Sequence, residues 1–134
     1  MSSVMKFGPL AAAFLAVAPA MAETRPMPEY FVNALVATSA AQALALACAE
    51  LSVDPIAVVS ASETLLTQLE ADGFDPNDPS AGMDDGETEL DSAQQAFMDK
   101  YQLDGATSEA VCAAGRAEIS EGTAIGSLLV EVSE

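Results

Sequence analysis

The chain has 134 residues, of which 21 are Asp or Glu, four are Lys or Arg and none is His, so its formal net charge is −17 at pH 7. Such a charge is repelled by nucleic-acid phosphates and by anionic lipid headgroups, which excludes nucleic acid as a partner. The length suffices for one compact domain but not for two.

The first 22 residues have the pattern of a cleaved signal peptide. Lys6 precedes an apolar run over residues 7–21, and this run ends in Ala20-Met21-Ala22, the small-x-small pattern that signal peptidase requires. The run covers about 15 residues against the roughly 20 that a membrane-spanning helix needs, so a membrane anchor is the less favoured alternative. We predict cleavage after Ala22 and export, to the periplasm or else to the extracellular space.

The predicted mature chain, residues 23–134, is expected to form a single helical domain. It keeps three basic residues and all 21 acidic ones, a net charge of −18. This charge suits a cation or a basic protein surface as partner. An acidic surface also keeps a small exported protein soluble, and that alternative stays open.

Cys48 and Cys112 are the only cysteines. Two cysteines in an exported chain pair by default, so we predict one disulfide bond between them. In the chain-entropy model, closing a loop of about 64 residues stabilises the fold by roughly 4 kcal/mol.

A first helix is predicted from Glu29 to about Leu51, after an extended arm over residues 23–28 that contains two prolines. Apolar residues recur in it at spacings of three, four and seven within an Ala-rich stretch, as is typical of a helix with a buried face. These residues are Phe31, Leu35, Val36, Leu44, Cys48 and Leu51.

A second helix is predicted to begin at Asp54-Pro55, an N-cap followed by proline at the first helical position, and to end at Asp72-Gly73. Its apolar side is expected to consist of Ile56, Val59, Leu66 and Leu69. An acidic loop over about residues 72–91 follows, rich in Asp, Gly and Pro and therefore typical of turns.

A third helix is predicted to start at Thr88, because Asp91 three residues later completes a pattern resembling a capping box, and to end at Asp104-Gly105. Its inner face is expected to carry Leu90, Gln94, Phe97, Met98 and Tyr101.

A fourth helix is predicted to begin after Thr107 or Ser108 and to end at Gly122. Residues 125–129 suggest a short terminal helical segment, and we find no alternating strand pattern. The sequence therefore predicts an all-α fold, a small bundle of about four helices with one disulfide bond.

The segment from Cys112 to Leu129 contains Cys-x-x-Gly-Arg-x-Glu-Ile and ends in Ile-Gly-x-Leu-Leu. This tail resembles that of an uncharacterised family of short exported proteins of alphaproteobacteria, a domain of unknown function. The resemblance implies a cleaved leader, an early Cys in the first helix and a shared fold. It implies no activity, and the acidic stretch 72–91 differs from the basic-containing middle of that family.

Within the tail, Arg116 and Glu118 are a possible interaction site. Arg116 is one of three basic residues beyond the leader, and its guanidinium can bind a partner's carboxylate through two hydrogen bonds. The favoured alternative is that Arg116 binds a carboxylate or a helix-end carbonyl of its own chain. Gly115 is expected to let a neighbouring helix approach.

The acidic loop offers the one candidate cofactor, calcium, which binds six to eight oxygen ligands. The spacing does not match an EF-hand loop, so a solvated loop is the favoured alternative. The weak candidate ligands are Asp75, Asn77, Asp78, Asp84, Asp85 and Glu87.

Catalysis is not favoured, because the chain has no His and both Cys are expected in the disulfide bond. We therefore predict a non-enzymatic periplasmic interaction or structural protein, with a basic or apolar protein surface as partner and an oligomeric state that the sequence leaves open. Calcium binding through the acidic loop is the second hypothesis. The third, by analogy, is an acid-stress periplasmic chaperone that exposes apolar surface once its carboxylates are protonated.

Overall fold

The computed structural model describes residues 24–133, so the predicted signal peptide lies outside the described residues. Within these residues, the fold consists of four helices, a two-stranded sheet and two short 3₁₀ turns, Pro79–Gly82 and Gly126–Leu128. The helices and strands are, in chain order, α1 (Glu29–Ala47), β1 (Leu51–Val53), α2 (Pro55–Ala71), α3 (Glu87–Tyr101), α4 (Ser108–Glu121) and β2 (Leu129–Glu131). The predicted all-α fold with one disulfide bond, Cys48–Cys112, is confirmed.

Helix α2 begins and ends as predicted. The Asp54 carboxylate accepts hydrogen bonds from the backbone amides of Ile56 and Ala57, at 3.0 and 3.4 Å, and Pro55 takes the first helical position. At the other end Gly73 has φ +87°, a left-handed conformation that glycine adopts without steric cost.

Helix α4 also has the predicted ends. The Thr107 hydroxyl accepts from the amide of Ala110 at 3.2 Å, and Gly122 ends the helix in the left-handed region, at φ +65°. Of the two predicted caps, Thr107 is the one in use.

Helix α1 is shorter than predicted. It ends at Ala47, and Cys48 already has an extended backbone, with φ −132° and ψ 112°. Leu51 therefore lies in β1 and not in the helix. The helix ends early because residues 51–53 pair with β2, a contact between distant parts of the chain.

The β1–β2 sheet is a feature that the sequence did not reveal. The two strands are antiparallel, with Leu51 opposite Glu131 and Val53 opposite Leu129. The predicted terminal helical segment is thus only the 3₁₀ turn Gly126–Leu128, after which the backbone is extended. Each strand has three residues, too few for an alternating pattern to stand out.

The predicted start and end of α3 are wrong. The helix begins at Glu87, so Thr88 lies inside its first turn and caps nothing, and the acidic loop ends at Gly86 rather than near residue 91. The helix ends at Tyr101 and not at Asp104-Gly105, because Gln102 already adopts the left-handed conformation, at φ +52°.

Buried side chains form two separate clusters. The main cluster, around the disulfide bond, comprises Ala37, Ala40, Ala41, Leu44, Cys48, Leu51, Cys112, Ala114, Ile125, Leu128 and Leu129. The arm cluster, where the N-terminal arm meets the end of α2, comprises Phe31, Leu69, Phe74 and Met83. Helix α1 contributes to both and is the central element of the fold.

By length and composition alone, α1 is long and apolar enough to cross a membrane, with a mean hydropathy of 1.4 over an 18-residue window. Its buried residues face the other elements of this fold, and core helices of folded proteins pass the same test. This property is therefore weak evidence for a membrane span.

Candidate functional site

The first half of the acidic loop uses its carboxylates to build its own turns. Asp75 accepts a hydrogen bond from the amide of Asn77 at 2.9 Å, and Asp78 accepts one from the Ser80 hydroxyl at 3.2 Å. These are the local bonds by which Asp side chains stabilise turns. Two of the predicted calcium ligands are thus part of the loop's own scaffold.

The carboxylates in the second half of the acidic loop also form hydrogen bonds within the fold. Asp84 binds the Thr24 hydroxyl of the N-terminal arm, and Asp85 accepts from the amide of Glu87 at the start of α3, at 3.1 Å. Within residues 24–133, no three carboxylates of this loop bring ligand oxygens within 4.8 Å of one another. The structure therefore does not gather the six predicted calcium ligands at one point.

One group in the described part of the chain does meet that distance criterion, formed by Cys48, Glu50 and Cys112. Both sulfur atoms are already bonded to each other in the disulfide bond. A cysteine binds a metal ion only as its thiolate, which neither residue can form while the bridge is intact, so this group is a consequence of the disulfide bond and not a metal site.

The N-terminal arm is held against the acidic loop by Arg25. Its backbone pairs with Met83 in an isolated bridge, and its guanidinium lies 3.8 Å from the ring centroid of Phe74. The same group donates a hydrogen bond to the carbonyl of Asp72 at 2.7 Å. The extended arm was predicted, but this contact to the loop was not.

Tyr30 ties the start of α1 to the end of α2, because its hydroxyl donates a hydrogen bond to the Asp72 carboxylate. Burial, together with that carboxylate, raises the pKa of Tyr30 to about 12. The hydroxyl thus stays protonated well above neutral pH and remains a donor.

The Arg116 guanidinium is paired with carboxylates of its own chain. It forms ion pairs with Glu50, just before β1, and with Glu131 at the end of β2, the latter at 3.5 Å. It therefore links α4 to the β1–β2 sheet. This arrangement matches the favoured structural alternative, and it leaves the predicted interaction role of Arg116 without support from geometry.

Glu118, the other predicted interaction residue, is almost fully buried, with 2% of its surface exposed. Its Oε2 lies 3.6 Å from the ammonium of Lys100, beyond hydrogen-bond distance. Lys100 donates a hydrogen bond at 3.0 Å to the exposed Glu121, and that bond raises the pKa of Lys100. Because Glu118 is inside the fold, it cannot meet a partner.

Beside this pair, the Tyr101 hydroxyl is buried without a hydrogen-bond partner, and burial raises the pKa of Tyr101. Its ring packs edge-on against Phe97, with 5.7 Å between the ring centroids. Both rings are half-buried and contact the main cluster, as predicted, whereas Gln94, which was expected on the same inner face of α3, is exposed.

The outer face of α2 is the surface that sequence reasoning misplaced. Ile56 is 79% exposed, Val59 58% and Leu66 39%, although these residues were expected to pack inside; Leu69 alone of the four is fully buried. Their spacing of three and seven puts the three exposed residues on one side of the helix. The spacing was a valid signal of a common face but gave no information on which way that face points.

Two carboxylates lie along the same outer face of α2. Glu63 and Glu70 are exposed and follow Val59 and Leu66 by four residues each. The outer face, defined by Ile56, Val59 and Leu66, is thus an apolar stripe with acidic residues along it.

Residues 25–130 match the model of a family of unknown function (DUF5333). Neither a curated protein nor a solved structure matches the sequence.

Proposed function

Because this chain belongs to the family of unknown function DUF5333, whose description assigns no activity, we propose a function from its surface. The chain is a non-enzymatic interaction or structural protein of the periplasm that presents the outer face of α2 to a partner protein. Residues 1–22 serve as the cleaved leader that delivers it there.

The exposure of Ile56 and Val59 is the observation that carries this proposal. Grouped apolar side chains on the surface of a small protein mark interaction sites more often than single ones do. Covering such a side chain completely contributes about 1.5–3 kcal/mol, so the stripe supplies a driving force for association.

The charge around the stripe indicates what the partner surface is like. Glu63 and Glu70 lie along the stripe, and the chain as a whole carries a net charge of −17. A complementary surface is apolar at its centre and has Lys or Arg at its edge. An acidic partner is repelled.

Site-specific photocrosslinking tests the proposal. A benzophenone amino acid placed at Val59, in the cells that export the protein, is expected to give one discrete crosslinked product. The same amino acid at Gln95, which is exposed on α3, is the matched control and is expected to give none. Equal products at both positions, or none at Val59, would contradict the proposed surface.

A double substitution tests whether the crosslink depends on the apolar stripe or on nonspecific association. Replacing Ile56 and Leu66 by Ser in the Val59 crosslinking protein removes apolar surface on both sides of the probe without touching a fully buried residue. The crosslinked product is expected to disappear while the circular dichroism spectrum stays unchanged. A product that persists shows that the stripe does not bind the partner.

Calcium binding and the acid-stress chaperone stay predictions from the sequence. In the described part of the chain, the carboxylates of the acidic loop form no group that favours a calcium site.

A further inference from the structure

A groove of about 750 Å³ runs between α1 and α2, on the side of α2 away from the outer face. Ala34, Thr38 and Gln42 line it from α1, each one turn after the previous one, and Ala61 and Thr64 line it from α2. The volume lies within the range of about 300–1,000 Å³ that small-molecule sites occupy in proteins.

The groove exists because α2 packs against the rest of the fold at its two ends but not along its middle. At the start of α2, Ala57 and Val58 pack on the main cluster, and the amide of Asp54 donates to the carbonyl of Leu128 at 2.8 Å. At its end, Leu69 belongs to the arm cluster. Between these anchors several of the facing side chains are small, with Ala34 and Thr38 on α1 and Ala61 and Thr64 on α2, so space stays open.

None of the residues that line the groove is charged, although the chain carries 21 acidic residues. A charged ligand entering it would lose hydration without gaining an ion pair, and an anion would also be repelled by the net charge. The lining therefore selects for an uncharged ligand.

Most of the hydroxyl groups in the lining already donate a hydrogen bond within the chain. The hydroxyls of Thr38, Thr64 and Ser127 donate hydrogen bonds of 2.8–3.0 Å to carbonyl oxygens one turn earlier in the chain. They therefore present mainly methyl or methylene groups and acceptor lone pairs. Gln42 and Gln68 place exposed amides on opposite walls.

We propose that the α1–α2 groove binds a neutral, largely apolar small molecule that carries one or two uncharged hydrogen-bonding groups. The apolar body contacts the Ala and Leu side chains of the walls, and the polar groups meet the amides of Gln42 and Gln68. This site is independent of the outer face of α2 and does not rest on the partner proposed above.

The test uses the purified protein and the neutral fluorophore N-phenyl-1-naphthylamine, whose emission rises in apolar surroundings. We expect saturable binding of one molecule per chain. Ala61→Phe places a ring in the groove at an exposed position, so the fold is kept, and is expected to weaken binding roughly tenfold or more. Ala96→Phe adds the same ring on an exposed part of α3 and is expected to leave binding unchanged.

Three results with the neutral probe would overturn the proposal, and a fourth concerns its charge selectivity. The first is the absence of saturable binding, and the second is equal binding by the Ala61→Phe and Ala96→Phe variants. The third is loss of binding in Val59→Ser, which would place the probe on the outer face of α2. The anionic relative 1-anilinonaphthalene-8-sulfonate is expected to bind more weakly than the neutral probe, and equal affinity would contradict the charge selectivity.

Discussion

Gly115 lies in α4 where a side chain has no room. A Cβ atom added there would come 2.2 Å from Cδ1 of Leu51, whose side chain is buried in the main cluster. The prediction that this glycine permits a close approach is correct in principle, but the neighbour is a strand residue and not a helix. Gly126 is tighter still, because its Cβ would meet the backbone carbonyl of Glu118 at 1.9 Å.

Two opposing effects decide what Gly115→Ala does. Overpacking a core costs about 1–3 kcal/mol, whereas Ala is preferred over Gly inside a helix by about 1 kcal/mol. We expect the first to dominate, so the free energy of unfolding falls. In a Leu51→Ala background the clash is absent, and the same substitution is expected to stabilise by up to about 1 kcal/mol.

Urea denaturation of the four proteins in this double-mutant cycle measures both values. The reversal of sign is the diagnostic result. If Gly115→Ala has the same effect in both backgrounds, Leu51 is not the residue that requires glycine at this position.

At the scale of the elements, the ends of α2 and α4 depend on local hydrogen bonds and were predictable, whereas the end of α1 depends on a distant contact and was not. The ends of α3 are local as well, but the sequence placed both of them too late in the chain. Asp54, Thr107 and Gly122 act where the sequence placed them. The end of α1 and both strands were missed because Leu51 pairs with Glu131, far along the chain. No local pattern of residues contains that information.

Asp54 and Thr88 provide a matched comparison, since the sequence indicated both as helix caps. Asp54→Ala removes two hydrogen bonds to the first turn of α2 and is expected to cost about 0.5–2 kcal/mol of stability. Thr88→Ala changes an exposed residue inside the first turn of α3 and is expected to cost nothing. Thermal unfolding of the two variants is the measurement, and an equal loss of stability would contradict the assigned start of α3.

For the candidate surfaces, too, the local features were predictable and the features that depend on the packing of distant elements were not. The sequence placed Ile56, Val59 and Leu66 on one face, and the helix geometry agrees, but their direction depends on where α1 lies. The uncharged groove required two helices to be placed side by side. The local turns of the acidic loop, in contrast, follow from the familiar preferences of Asp and Gly.

For the whole molecule, the disulfide bond is the main long-range constraint. It joins residues 64 positions apart and lies within the main cluster. Opening it is expected to lower the free energy of unfolding by roughly 4 kcal/mol. The segment after Cys112 should loosen first, because without the covalent link it is held only by three-residue strand pairing, the Arg116 ion pairs and the packing of a few side chains such as Leu129.

Hydrogen exchange with and without reductant measures this effect. Amides of β2 and of the turn before it are expected to lose protection before those of α1. A Cys48→Ala, Cys112→Ala variant should exchange like the reduced protein and should not respond to reductant. A uniform loss of protection over the chain would show that the bridge stabilises all elements equally.

The contacts of the first half of the chain also set the timing of its folding during synthesis. Cys48 bonds to Cys112, the amide of Asp54 donates to the carbonyl of Leu128, and Leu51 pairs with Glu131. In each of these contacts the partner lies in the second half of the chain. Ribosomes make the N-terminal half first, so a nascent chain that has reached α2 still lacks every one of these partners. Folding of the main cluster is therefore completed only after its last partners have been made, and until Cys48 meets Cys112 it is a free thiol.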